Sequence, residues 1–262
     1  MSSHQREPTP FYLGRFGNSV PIMLALAVLT FSFPQDSEGK ALRIATIDLA
    51  PSGYQENGEI KGISYEFSNL IAEKAGLSYT NVLKPYSRVV HELKTGKSDM
   101  SILIYHESFN TATLLKLLTL ETIIIGRKGH DIKRLSELNG KTVGIVRGTK
   151  FTEITDTNNM VLLNVKSYQH GIRMLDKGRI TALIALKGSL YFVIKNLNVE
   201  KSEFGKPYVI SERPVFLQVS QSFRDTDKIY ALESAAKQLV KDGTFQRVMD
   251  KYVPGFLDSS LK

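Results

Sequence analysis

The chain has 262 residues, no cysteine and a net charge of +8, from 34 Lys and Arg against 26 Asp and Glu. The missing cysteines exclude disulfides, thiol catalysis, cysteine-based metal sites and a lipid anchor on cysteine. Basic residues are scattered in ones and twos among acidic ones, with no aromatic interleaving, so the charge carries no nucleic-acid footprint and only a weak preference for anionic ligands or surfaces.

Residues 1–18 are polar and include Arg6 and Arg15, and residues 20–33 then form an uncharged apolar run. That run is shorter than the roughly 20 residues a spanning helix needs. A basic lead, a short apolar stretch and the polar exit Pro34-Gln35-Asp36-Ser37 describe a secretory signal peptide over residues 1–33, cut somewhere between Ser32 and Ala41. An uncleaved N-terminal anchor is the alternative.

From Leu42 onward, strands alternate with helices. Residues 42–47 predict a first strand, and residues 48–62 a turn-rich stretch. Ile63, Phe67, Leu70 and Ile71 recur at helical spacing until Gly76. Residues 79–83 predict a strand, 87–95 a helix that buries Val89, Val90 and Leu93, and 100–104 and 122–126 two apolar strands. A polar break at 127–131 opens a second series. It holds a short helix near Leu135, a strand at 142–146, a helix opening at Gly148-Thr149, a strand at 161–165, a helix at 168–177 and a strand at 180–186. Beyond Pro207, residues 208–210 and 215–219 predict strands, 227–241 the strongest helix of the chain, and 244–252 a last helix that ends before Pro254.

One phrase occurs twice. Residues 93–104 (LKTGKSDMSILI) reappear as residues 175–186 (LDKGRITALIAL). Each copy reads as the end of an amphipathic helix, a glycine stop, a polar turn and a strand covered on both faces. Two such units predict two similar α/β lobes with mostly parallel sheets flanked by helices, and ligands bind such sheets at the carboxyl ends of the strands. The facing loops of two lobes make a cleft.

The chain resembles the periplasmic solute-binding proteins of bacterial amino-acid-type ABC transporters, the family-3 extracellular solute-binding proteins. Four pieces carry the likeness: Gly62-Ile63-Ser64-Tyr65-Glu66-Phe67 running on to Gly76, Leu93 to Asp99, Leu135 to Thr149, and Leu239 to Phe245 continuing to Asp250-Lys251-Tyr252. The resemblance implies a two-lobed type II periplasmic binding protein fold with two crossing hinge strands. Lobe one would comprise residues 42–125 plus 213–262, and lobe two residues 126–212. It also implies a monomer in the periplasm that needs no cofactor or metal, binds a small-molecule solute between its lobes, closes by hinge motion and docks on the membrane subunits of an ABC permease.

Family members that bind free amino acids place an arginine after the lobe-one strand for the α-carboxylate and an aspartate after the lobe-two strand for the α-ammonium. Here the first stretch, residues 109–115, has no arginine, and the second position falls near Leu186, followed by Lys187. Desolvating both charges of a zwitterion without partners costs several kcal/mol. A standard α-amino acid is therefore not the expected ligand, and a polar, amino-acid-like or anionic solute is.

The candidate ligand residues are Tyr54, Tyr86, Arg88, Tyr105, Glu107, Arg147, Gly148, Thr149 and Lys187. Arg147-Gly148-Thr149 stands at a strand-to-helix junction, where free N–H groups, a hydroxyl and a guanidinium suit a carboxylate or phosphate. The same residues also read as a plain helix cap with a solvated arginine. Tyr86 and Arg88, ahead of a helix, offer stacking and a bidentate anion clamp, or else only a helix-entry turn. Tyr54 falls in the loop after the first strand, where the family commonly offers an aromatic wall. Tyr105, His106 and Glu107 follow one repeated strand, with Glu107 able to receive an amine, and Lys187 and Ser189 follow the other. Glu66 and Asp99 read as structural.

Catalysis has little support, because there is no HExxH, no GxSxG elbow, and no P-loop at Gly144 to Thr149. Two other roles stay open on this fold. One is a ligand sensor acting on a separate membrane partner, and the other a cyclohexadienyl-dehydratase-like enzyme using Glu107 and His106.

Overall fold

Both copies of the repeated phrase fold as a helix, a left-handed glycine and a core strand. In the first, α2 (Tyr86–Lys94) leads through Gly96, at φ 70°, into β5 (Met100–Ile104). In the second, α3 (Tyr168–Asp176) leads through Gly178, at φ 64°, into β9 (Ala182–Leu186). The structure is a computed structural model, and it describes residues 40–109, 111–147 and 159–256. The expected signal peptide, Gly148 and Thr149 lie outside the described residues.

The remaining elements follow the sequence closely. β1 (Leu42–Ile47) precedes a small hairpin, β2 (Tyr54–Glu56) and β3 (Glu59–Lys61), and then come α1 (Ile63–Lys74) and β4 (Tyr79–Lys84). After β5 come β6 (Thr111–Gly126), β7 (Thr142–Val146) and β8 (Val161–Val165). After β9 come α4 (Lys187–Asn196), β10 (Tyr208–Ser220), α5 (Thr226–Lys241) and α6 (Thr244–Tyr252).

Eight strands form one sheet in the order β4-β1-β5-β10-β6-β9-β7-β8. β1 is parallel to β4 and β5, and β7 is parallel to β8 and β9. β10 runs antiparallel to both β5 and β6, and β6 antiparallel to β9. β9 therefore runs opposite to β5, so the carboxyl ends of the two parallel groups face one another along the β6–β10 pair. That pair stays in register, with bulges, from Tyr208 opposite Ile124 to Ser220 opposite Thr111. These are the two crossing strands of a type II periplasmic binding protein fold.

Three elements differ from the sequence expectation. β6 begins at Thr111, not near Thr122, because its first ten positions are half-buried or exposed without a regular alternation and so carry no period-two signal. β10 is one strand where two were expected. Pro214 lacks an N–H, but its position requires only an acceptor, and its carbonyl takes the Tyr105 N–H at 3.2 Å. α4 starts directly after β9, in a stretch for which no element was expected. It buries Lys187 through Leu190 together with Phe192 and Ile194, so no single apolar stripe marks it as helical.

α1, α5 and α6 cover the β1–β5–β10 portion of the sheet, with Phe67, Ile71, Met100, Leu217 and Leu232 essentially inaccessible at their contact. Around β6 and β9, Ile123 and Leu183 pack into one cluster while Ile124 and Ile184 pack into another. Successive strand residues point to opposite faces, so the sheet there is covered on both sides. Truncating one of these large side chains to alanine costs about 2–5 kcal/mol.

Candidate functional site

The carboxyl ends of β1, β5 and β9 meet at one cavity of about 320 Å³, whose wall includes Ile47, Ile104 and Leu186, the last residues of those strands. Two helices start against it: Tyr86 opens α2, and Gly188 and Ser189 lie in the first turn of α4. Neither helix has a side-chain cap or an acidic residue in its first turn. Their N-terminal partial positive charge is therefore not offset by their own side chains. α6 closes a further wall with Phe245 and Met249, continued by Val253 and Phe256.

The register of the crossing strands fixes what stands between the two sets of strand ends. β5 ends with Ile104 opposite Val215, itself opposite Leu118, whereas β9 ends with Leu186 opposite Thr122, itself opposite Ser211. Arg213 opposite Leu120 falls between these points, and both residues line the cavity. Arg213 is half-buried. Its Nε is fully buried with no hydrogen-bond partner among the described residues. Arg213 is the one cationic side chain among the described residues that line the cavity. Arg213 also acts on its neighbour in the wall. Burial pushes the Tyr86 phenol up, and the charge of Arg213 opposes that rise.

The other polar groups on the wall are Ser52, Ser64 and Ser189, and Ser52 Oγ donates to Ser64 Oγ at 2.8 Å. No carboxylate or imidazole is among the described lining residues. The rest of the surface is aliphatic or aromatic.

Of the residues singled out from sequence, Tyr86 lines this cavity. Lys187 lies just behind the wall. It is buried, and its Nζ donates to Glu121 Oε2 at 2.7 Å. Arg88 lines no part of the cavity, and its Nε donates to Glu92 Oε1 at 2.7 Å. Glu92 is a buried hub that also accepts from Lys84 and from Ser98 Oγ. Burial alone would raise its pKa, but the hydrogen bonds from Lys84, Arg88 and Ser98 outweigh that and hold it at about 2. Tyr54 packs edge-on against Phe192 at 5.4 Å and Tyr252 at 6.3 Å, away from the cavity wall. Tyr105, His106, Glu107 and Arg147 are exposed and line no part of the cavity.

Glu66 and Asp99 hold elements together. Tyr252 Oη donates to Glu66 and accepts the Gly62 N–H at 2.9 Å, tying α6 to the start of α1. The Arg43 fork grips Asp99 through Nε at 2.9 Å and Nη2 at 2.5 Å.

Arg213 entered the sequence reading only as a lobe boundary. The available signal was strand parity, since Arg213 and Val215 stand two apart on β10 and so share a face. A charge on the inward parity of a core strand is unusual enough to single out.

Residues 42–255 match the profile of the bacterial extracellular solute-binding proteins, family 3. The Probable amino-acid-binding protein YxeM of Bacillus subtilis (strain 168) is 27% identical over 219 residues, covering 79% of this chain and 81% of that protein. The L-cystine-binding protein TcyJ of Escherichia coli (strain K12) is 24% identical over 216 residues, 77% of this chain and 78% of its own length. Among solved structures, the arginine-, lysine-, histidine-binding protein ArtJ from Geobacillus stearothermophilus shares the fold. Its TM-score is 0.58 at 17% identity, over 81% of this chain and 95% of that one. The matched span runs from β1 to the end of the cavity's α6 wall, and the chain belongs to the bacterial extracellular solute-binding proteins, family 3.

Proposed function

We propose that the protein is an exported, periplasmic binding protein that takes an amino-acid-like or anionic solute into the cavity between β1, β5 and β9 and delivers it to an ABC permease. The observation that carries this reading is Arg213, the one cationic side chain among the described residues lining a cavity at the strand carboxyl ends. The uncapped first turns of α2 and α4 add positive potential at the same place. The cavity volume of about 320 Å³ suits a small molecule. Residues 42–125 with 213–262 act as one lobe and 126–212 as the other, hinged on β6 and β10. Residues 1–33 serve as the export signal, and the solute leaves chemically unchanged.

A ligand that binds only the folded state raises its stability by RT ln(1 + [L]/Kd), about 2.7 kcal/mol at a hundredfold excess over Kd. A thermal-shift screen of the mature protein over amino acids, opines, polyamines, mono- and dicarboxylates and short peptides tests the reading. At least one carboxylate should raise the melting temperature by several degrees, and Arg213→Gln should abolish that rise. A flat response across all classes rules the reading out.

A further inference from the structure

We infer that the solute is a monocarboxylate with an aliphatic or aromatic body and no α-ammonium group, its carboxylate held by Arg213. This rests on the cavity being the solute site, as proposed above, and narrows what the site accepts. Arg213 lines the cavity, and a guanidinium can offer two parallel N–H donors to one carboxylate. Tyr86, beside it, has a phenol that can supply a further hydrogen bond to the same group.

Among the described residues, the wall around this pair has no second charge. No aspartate or glutamate is among the described lining residues. Glu121, the nearest carboxylate along β6 from Leu120, already receives the Lys187 ammonium at 2.7 Å. Glu92, below α2, receives Lys84, Arg88 and Ser98. An α-ammonium carried into this cavity would lose its water and meet leucine, isoleucine and phenylalanine side chains, which strongly disfavours binding. An apolar body fits the same surface, with Leu118, Leu120, Phe245, Met249 and Phe256 there to bury it.

Matched ligand pairs that differ only in the ammonium test the inference directly. Titration calorimetry would compare 4-methylpentanoate with leucine and 3-phenylpropanoate with phenylalanine, with 3-phenylpropanamide as a control lacking the carboxylate. The expected result is binding of at least one deaminated acid tenfold or more tighter than its amino acid, with no binding of the amide. Arg213→Gln should weaken the favoured acid at least thirtyfold, and Arg213→Lys should recover part of the loss, while both variants keep the unliganded melting temperature. Tighter binding of the amino acids, or binding of the amide at the affinity of the acid, overturns the inference and leaves the binding function standing. Binding only by solutes of other classes in the wider screen overturns it in the same way. Failure of every solute in both experiments overturns the binding reading as well. An Arg213→Gln variant that melts early is replaced by Leu120→Arg, which sets a second cation opposite the first and should tighten a dicarboxylate relative to the monocarboxylate. An unchanged preference there also overturns the inference.

Discussion

The Lys187 ammonium lies 2.7 Å from Glu121 Oε2, with both side chains almost fully buried, so the first turn of α4 is fastened to the crossing strand β6. Removing one member of a buried pair leaves the other charged without compensation, which costs about 3–5 kcal/mol. Lys187→Met and Glu121→Leu alone should each lower the unfolding free energy measured in urea by that order, and the double variant should regain most of the loss. Additive losses in the double variant would show that the two side chains are not coupled.

Glu92 gives the fold a specific acid sensitivity. Its pKa is about 2 in the folded protein against an ordinary value of 4.5. The sign follows from linkage, because a depressed carboxylate contributes stability that is complete above the ordinary value and lost as pH falls towards the folded one. Unfolding free energy of the native protein should therefore decline between about pH 4.5 and pH 2, and Glu92→Gln should flatten part of that decline. The variant should also be less stable at pH 7 by about 1–3 kcal/mol, the worth of hydrogen bonds to a charged group. Parallel pH profiles for the two proteins would contradict the assignment.

The two glycines of the repeated phrase share a backbone conformation but not their surroundings. A Cβ on Gly96 would lie 2.7 Å from the Ser222 Cβ, whereas on Gly178 it would meet only the Arg127 guanidinium, at 3.6 Å. Gly178→Ala should cost about 1–2 kcal/mol for the left-handed backbone alone. Gly96→Ala should cost more, by at least about 1 kcal/mol for the clash. Equal losses, read from chemical denaturation, would mean that the Ser222 loop moves aside freely.

The proposed role of Arg213 separates binding from folding. Its buried Nε makes no hydrogen bond among the described residues, so replacing the guanidinium with an apolar chain removes an unsatisfied donor. Arg213→Met should hold or raise the unliganded melting temperature while the ligand-induced rise disappears. Such an exchange of function for stability is typical of a residue kept for its ligand. A large drop in unliganded stability would assign Arg213 to the scaffold instead.

Much of the frame was legible because its signals are local. The strands at Met100–Ile104 and Thr142–Val146 and the helix at Thr244–Tyr252 could be bounded from apolar runs, glycine stops and the proline beyond. The crossing strands were not, because half-buried positions along β6 and the proline inside β10 erase the alternation that marks a strand. The binding wall was harder still. Arg88 has the residue type and spacing of an anion clamp, and what directs it to Glu92 is a carboxylate four residues on, whose burial no sequence pattern states. Arg213 earns its place from a register set by strands far apart in the chain.

That register places Arg213 on the crossing strands, the shared axle of the two lobes in the proposed function. When two bodies rotate about an axle, points on it travel least. A carboxylate gripped by Arg213 would keep its position through opening and closing, while the α4 edge sweeps past the far end of the solute. On the proposed function, capture would then divide into two acts: the charge read first at a nearly stationary point, and the shape of the body afterwards, by whether the moving wall can come to rest against it.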